Sequence, residues 1–297
     1  MKKWIKAARL RTLPLSLSGI ILAAFIAASQ QSFEPLIFIF SVLTAVLFQI
    51  LSNFANDYGD GIKGTDNENR IGPQRALQSG EITPKAMKKA VYITALLSLI
   101  SAVVLVIYSF GFNRFVHVSI YLILGLAAIV AAIKYTVGNK AYGYFGFGDI
   151  FVLIFFGLVS VIAGTYLYTH KLDWTLIFPA LSVGLLSVAV LNLNNMRDMD
   201  SDKLVQKNTL PVKWGLQKAK KYHVLLLVFP FFFTQAYIFH HLHSLWQWLF
   251  MIPYFFLFIH LIRVIKTESA RQFDPELKKV AILTFLYALF FGLGMIL

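Results

Sequence analysis

The sequence predicts an all-α integral membrane protein with nine transmembrane helices, folded as a single domain over residues 1–297. Of the 297 residues, 58% are hydrophobic and 14% are charged, whereas soluble domains carry about 25% charged residues. No stretch alternates with the period of two that barrel strands require. This composition excludes a soluble enzyme and a disordered chain. The absence of cysteine excludes thiol chemistry and Cys-ligated zinc.

The nine predicted helices are apolar stretches of about 20 residues, the length that crosses a hydrocarbon core of about 30 Å. They are numbered here in chain order as spans 1 to 9. Their predicted bounds are 14–29, 35–54, 90–110, 115–133, 149–168, 174–193, 222–240, 244–262 and 280–297.

The basic residues predict the orientation of the bundle. The chain carries a net charge of +13, and 25 of its 27 Lys and Arg residues precede span 1 or follow spans 2, 4, 6 and 8. Such a surplus on a soluble protein would suggest nucleic acid. On a membrane protein it marks the cytoplasmic side. We therefore expect a cytoplasmic N-terminus, an external C-terminus, contact with anionic lipid and no nucleic acid.

A first polar cluster lies where span 2 leaves the membrane, within a motif at residues 53–75. Four of its side chains are spaced i, i+3, i+4, i+7 and therefore share one helical face. Three glycines between residues 59 and 64 then break the helix, which lets Asp66 fold back toward that face. The four are Asn53, Asn56, Asp57 and Asp60.

A second polar cluster ends span 6, within a motif at residues 194–210. Asn194, Asp198 and Asp202 are spaced by four and share a face, whereas Asp200 points elsewhere. Both motifs follow an even-numbered span and so lie on the same side of the membrane. This correspondence predicts two pseudo-repeated halves.

These two clusters predict a metal–diphosphate site. Carboxylate and amide oxygens suit Mg²⁺, which often shares its coordination with substrate phosphates, and Lys and Arg would neutralise the remaining charge. The sequence contains no P-loop motif. The alternative is that loop acids are solvated charges at helix ends, which fits Glu68, Glu81, Asp200 and Asp274 but not the two stripes beside the membrane.

The motifs resemble those of the UbiA superfamily of membrane prenyltransferases, most closely the MenA-type branch that acts on 1,4-dihydroxy-2-naphthoate. The third acid of motif one is Asp66, because Gly64 stands where most of the superfamily has it, and this longer spacing resembles that branch. The expected role of Asp66 therefore depends on the branch pattern more than the roles of the other acids do. The similarity is carried by residues 9–14, 53–66, 70–75, 78–80, 142–149, 194–198 and 207–210.

The resemblance implies nine helices around a central cavity with both motifs at its cytoplasmic end, in a bacterial inner membrane. It also implies Mg²⁺-dependent transfer of a polyprenyl group from its diphosphate to the naphthoate, with loss of CO₂, giving demethylmenaquinone. Two alternatives stay open. One is another aromatic acceptor, homogentisate or 4-hydroxybenzoate, and the more distant one is an ion-coupled transporter, whose charges would lie nearer the bilayer midplane.

The resemblance also implies roles for individual residues. The expected Mg²⁺ ligands are Asp57, Asp60, Asp66, Asp198 and Asp202, and all of these except Asp66 are also expected to be catalytic. Diphosphate contacts or ligand-orienting roles are expected of Asn53, Asn56, Asn194, Lys63, Arg75, Lys140, Arg197 and Lys207. Two arginines before span 1 could bind the naphthoate carboxylate or simply anchor the helix: Arg9 and Arg11. Among the aromatic residues, Tyr58 is the favoured candidate for contact with the substrate.

Overall fold

The computed structural model describes residues 1–66 and 71–297. In this part of the chain the regular structure is helical, and nine helices are long and apolar enough to cross a bilayer. The predicted count is therefore confirmed. The observed bounds of spans 1 to 9 are Lys2–Ser29, Pro35–Ile62, Pro84–Phe110, Phe115–Lys134, Gly148–Thr169, Trp174–Arg197, Leu216–His241, Leu245–Lys266 and Ala270–Ile296.

The span ends on the weakly charged side agree with the predicted ends to within one residue. On the basic side, spans 2, 3, 6, 7, 8 and 9 extend 4 to 10 residues beyond their apolar stretches. A search for apolar runs stops at the first polar residues, but those residues continue the helix into water. The extensions of spans 2 and 6 lie within the two polar motifs.

Capping residues explain where two of these helices begin. Glu34 precedes span 2, and its Oε1 accepts a hydrogen bond from Leu36 N at 3.3 Å. Thr83 precedes span 3 in the same way, with its Oγ1 accepting from Ala86 N at 3.3 Å. Each helix then starts with proline, whose missing N–H would have no helical partner at that position.

Span 6 is the most buried of the nine spans, and it carries motif two. Its Gly184 faces Gly157 of span 5, where a Cβ added to Gly157 would lie 2.5 Å from Ala180 O. Small residues of this kind allow membrane helices to approach closely. The middle of span 5, residues Leu153–Ala163, is a π-helix. Close packing thus fixes span 6 against its neighbours.

A cavity of about 390 Å³ lies between the helices and is lined mainly by apolar residues of spans 1 to 6. At the basic end its wall includes Asn56, Arg75 and Asn194. The central cavity that the family resemblance implied is therefore present. The pseudo-repeat of two halves stays a prediction.

Candidate active site

The two polar motifs face each other across a second, small cavity at the basic end of the bundle. Its volume of about 20 Å³ has room for about one water molecule. Residues 60 and 202, from different motifs, lie on its wall. Four residues line both cavities: Asn56, Arg75, Tyr135 and Asn194. The full lining is Asn56, Asp60, Thr65, Asp66, Arg75, Tyr135, Asn194, Asp198, Ser201, Asp202 and Lys207. The cavities are therefore adjacent, one polar and one apolar.

Motif one presents its acids from the last turns of span 2 and the turn that follows. Gly64 adopts a left-handed φ of 72°, which favours glycine, and Thr65 N donates to Asp60 O at 3.0 Å. This turn brings Asp66 back beside Asp60, with Arg75 Nε 3.7 Å from Asp66 Oδ1. The predicted folding back of Asp66 is what the structure shows.

Asp57 lies one turn earlier on span 2 and is buried, with 1% of its surface exposed. It is not part of the wall of the small cavity. Its predicted role as a metal ligand stays a prediction.

Motif two continues from span 6 into the short helix Met199–Leu204. Asp198 N donates to Asn194 O at 3.0 Å, and Asp202 N donates to Asp198 O at 2.8 Å, so the helical spacing holds across the junction. Asp198 and Asp202 consequently reach the same cavity. Exposed Asp200 does not line it.

Lys207 lies between the two motifs. Its Nζ is 3.4 Å from Asp202 Oδ1 and 3.8 Å from Asp60 Oδ2, and the side chain is buried. Burial alone would lower the pKa of Lys207, but the two carboxylates outweigh it and raise that pKa above its usual value. Burial raises the pKa of Asp202 to about 6, against the opposing effect of Lys207. Lys207 therefore balances charge from both motifs.

The donor atoms fit a hard divalent cation. Within residues 1–66 and 71–297, no group of three or more His, Cys, Asp or Glu side chains is already arranged to hold a metal ion. Two buried acceptors on the cavity wall, Asn56 Oδ1 and Asp202 Oδ2, have no hydrogen-bond partner among those same residues. Unpaired buried oxygens of this type are costly unless a ligand or cation satisfies them.

Arg197 has a different environment from the predicted one. It was expected to bind phosphate, but its guanidinium instead binds Asn194, Asp198 and Asp274, and it lines neither cavity. The reason is burial, since only 2% of Arg197 is exposed. Asp274 was expected to be a solvated charge, and this too is corrected, because it pairs with Arg197.

Three other candidates lie away from both cavities. Tyr58 packs against the hydrophobic cluster that contains Leu51 and Phe54. Lys140 and Arg11 are exposed. These placements correct the expected substrate contact for Tyr58, whose face of span 2 is turned toward the core. Lys140 is not brought to either cavity.

Arg9 and Asn53 lie on the wall of the large cavity. Asn53 Nδ2 donates to Ala8 O at 2.8 Å and to Thr12 Oγ1 at 3.1 Å, so this amide ties span 2 to the start of span 1. Arg70, which contributed to the family resemblance, and Glu68 lie outside the described residues.

Sequence reasoning missed Tyr144, in the connection between spans 4 and 5. Its hydroxyl donates to Asp60 Oδ1 at 2.8 Å and also hydrogen-bonds with Thr65. Lys63 Nζ lies 3.9 Å from the centroid of its ring, a cation–π contact. Burial lowers the pKa of this lysine. The similarity of residues 142–149 to the family was the signal that could have identified Tyr144.

Comparisons with known proteins agree with this geometry. A model of the UbiA prenyltransferase family matches residues 17–295. The chain is 46% identical over 249 residues to the 1,4-dihydroxy-2-naphthoate octaprenyltransferase of Escherichia coli, covering 84% of this chain and 80% of that protein. It is 39% identical to the Haemophilus influenzae protein of the same name, over 100% of this chain and 96% of that one.

The fold is also that of solved structures. A UbiA homolog from Archaeoglobus fulgidus bound to GPP and Mg²⁺ superposes with a TM-score of 0.67 and 15% identity, covering 99% of each chain. A digeranylgeranylglyceryl phosphate synthase gives a TM-score of 0.65 and 20% identity, over 99% of this chain and 98% of that one.

Proposed function

The chain belongs to the UbiA prenyltransferase family, and on this premise we propose that it transfers a polyprenyl group from polyprenyl diphosphate to 1,4-dihydroxy-2-naphthoate. The two relatives named for this activity cover most of the chain, which supports the choice of acceptor. The products would be diphosphate, CO₂ and the prenylated naphthoquinol, the reduced form of demethylmenaquinone.

The observation that carries the proposal is the adjacency of the two cavities. A polyprenyl diphosphate has an anionic head and a long apolar tail. The small cavity offers Arg75 and Lys207 to the head, and the large cavity of about 390 Å³ offers apolar walls to the tail. Apolar pockets with a few convergent polar groups are typical ligand sites.

Carboxylates of both motifs would hold Mg²⁺, with the amide of Asn56 as a further oxygen donor. When bound, Mg²⁺ would supply positive charge that neutralises the negative charge developing on the leaving group. The proposed ligands are Asp57, Asp60, Asp66, Asp198 and Asp202.

The chain's own cations would assist departure of the diphosphate. When the allylic C–O bond breaks, its electron pair leaves with the diphosphate, and negative charge on that group rises. Lys207 and Arg75, already fixed beside the acids, would donate hydrogen bonds to its oxygens. Fixed donors stabilise such charge without reorganising at the moment of reaction.

The apolar cavity would protect the allylic cation from water. Tyr135 lines both cavities and therefore lies where head and tail meet. Arg9 lines the large cavity at the same end and would bind the acceptor carboxylate, which holds the naphthoate ring near the cation. Attack by the ring carbon that carries the carboxylate, followed by loss of CO₂, leaves the quinol without a net proton transfer.

We further propose that the basic end faces the cytoplasm of a bacterial inner membrane. The support is the distribution of charge along the sequence, since 25 of 27 Lys and Arg residues precede predicted span 1 or follow predicted spans 2, 4, 6 and 8. A basic mouth would attract both anionic lipid and the diphosphate substrate.

The test is a prenyl-transfer assay on the purified full-length protein with Mg²⁺ and a polyprenyl diphosphate. Dihydroxynaphthoate, homogentisate and 4-hydroxybenzoate would be offered separately, and lipid-soluble products identified by mass. Prenylation of the naphthoate with release of CO₂ supports the proposal. Prenylation of another acceptor alone would refute the choice of acceptor while leaving the enzyme class intact.

A further inference from the structure

Arg197 is the largest of the fully buried side chains in the described part of the protein, and it makes four hydrogen bonds. Its Nε and Nη2 donate to the two oxygens of Asp198 at 2.8 and 2.7 Å. Nη2 also donates to Asn194 Oδ1 at 2.8 Å, and Nη1 donates to Asp274 Oδ1 at 2.5 Å. A planar guanidinium bound in this way fixes the plane of the Asp198 carboxylate.

Asp274 belongs to the first turn of the helix Phe273–Ile296 in span 9, and lies 77 residues from Arg197 along the chain. Its side chain is 39% exposed, and it lines neither cavity. Asp274 accepts a hydrogen bond from Nη1, the guanidinium nitrogen that donates to neither Asp198 nor Asn194. This bond opposes rotation of the guanidinium away from Asp198.

The net charge of Arg197, Asp198 and Asp274 determines how strongly this cluster attracts a divalent cation. Arg197 and Asp198 alone would form a neutral pair, and a neutral pair attracts a divalent cation weakly. With Asp274 the three side chains carry a net charge of −1, so Asp198 keeps negative charge available on its cavity side. The position and the charge of Asp198 therefore both depend on a residue outside the two motifs.

We propose that Asp274, acting through Arg197, is a positioning residue that prepares Asp198 for a divalent cation. This inference rests on the proposed function, because it takes Asp198 as a metal ligand. Asp274 itself touches neither substrate nor cation. Groups that orient metal ligands typically contribute about 10- to 100-fold to metal affinity or activity.

The test compares Asp274→Asn with Asp200→Asn in the full-length protein, purified in detergent. Both variants lose one negative charge in the same region, and neither residue lines a cavity. Arg197 hydrogen-bonds with Asp274, whereas Asp200 is exposed and is not among the hydrogen-bond partners of Arg197. The probe is Mn²⁺ alone, with free ion measured by electron paramagnetic resonance. Prenyl transfer is then measured as a function of Mg²⁺, and thermal unfolding is followed for each protein.

We expect Asp274→Asn to raise the Kd for Mn²⁺ by about tenfold and to raise the Mg²⁺ concentration for half-maximal rate similarly. The rate at saturating Mg²⁺ should stay within about threefold of wild type, because the residue makes no contact with substrate. Asp200→Asn should match wild type. Asp274→Glu, which keeps the charge, should recover most of the affinity and provides a folded comparison if Asp274→Asn is unstable.

An unchanged Mn²⁺ affinity in folded Asp274→Asn, beside normal binding by wild type, would overturn this inference alone. An equal loss in Asp200→Asn would also overturn it, because the effect would then be general electrostatics. A lower unfolding temperature without a change in Kd would assign Asp274 a purely structural role. Absence of Mn²⁺ binding by wild type would overturn the proposed metal function and this inference with it.

Discussion

Replacing Lys207 with methionine tests whether this lysine and a divalent cation compete for the same oxygens. The ammonium lies 3.4 Å from Asp202 Oδ1 and 3.8 Å from Asp60 Oδ2. The same two carboxylates are proposed to bind Mg²⁺. We therefore expect Lys207→Met to bind Mn²⁺ alone more tightly than wild type, and to bind polyprenyl diphosphate more weakly.

The size of the effect follows from the two distances. At an effective dielectric constant of about 20, contacts of 3.4 and 3.8 Å correspond to about 5 and 4 kcal/mol of Coulomb attraction. The cost of desolvating buried ions offsets most of this attraction. A net competition of about 1.4 kcal/mol would make Mn²⁺ binding about tenfold tighter in the variant. Loss of one charged hydrogen bond, about 1.5–3 kcal/mol, would raise the KM for the diphosphate by about tenfold or more.

The assay measures Mn²⁺ binding by electron paramagnetic resonance without diphosphate, at a pH well above the pKa of about 6 for Asp202. Steady-state kinetics of prenyl transfer follow. Exposed Lys203 in the same connection supplies the control Lys203→Met, which removes one positive charge outside the cavity. Weaker or unchanged Mn²⁺ binding by Lys207→Met would show that the lysine and the cation do not compete for these carboxylates. An equal gain in Mn²⁺ affinity in Lys203→Met would show that the effect comes from net charge alone.

Three further outcomes are expected. Asp202→Asn should lower turnover at saturating Mg²⁺ by about 10²–10³-fold, whereas Asp200→Asn should not, and equal rates would contradict the assignment of motif two. Tyr144→Phe should lower kcat for prenyl transfer by about three- to tenfold, because it removes the hydrogen bond to motif one. An unchanged kcat would contradict a role for this hydroxyl in transfer. Gly157→Ala should cost about 1–3 kcal/mol by overpacking and lower the unfolding temperature, whereas Gly125→Ala, whose Cβ would sit at 3.6 Å from its neighbour, should be tolerated.

The nine spans could be predicted from sequence because a bilayer imposes a minimum apolar length on each helix. Apolar length alone does not give their polar extensions, although the helical spacing of the polar side chains from Asn53 to Asp60 indicated the extension of span 2. At the end of span 2, the residues from Ala55 to Ile62 continue the same helix. Apolar length carries no information about a helix that leaves the membrane and keeps its hydrogen bonds in water.

The approach of the two motifs could also be predicted, because helical spacing and membrane side place Asp60 and Asp202 at one end of the bundle. The environment of Arg197 could not, because its orientation depends on Asp274, 77 residues away. Tyr144 could not be predicted either, for a different reason. In a chain with 28 Phe and 13 Tyr residues, composition gives no reason to select one ring, and only the fold brings that hydroxyl to Asp60.

The proposed function requires both acid motifs to act on one substrate, a polyprenyl diphosphate, in the prenylation of dihydroxynaphthoate. Its most direct test is the mass of the lipid product formed by purified protein with and without Mg²⁺, together with the diphosphate released. We expect equal amounts of prenylated naphthoquinol and diphosphate, and neither product when Mg²⁺ is chelated. Unchanged product formation under chelation, or no naphthoate product from folded protein with Mg²⁺, would contradict it.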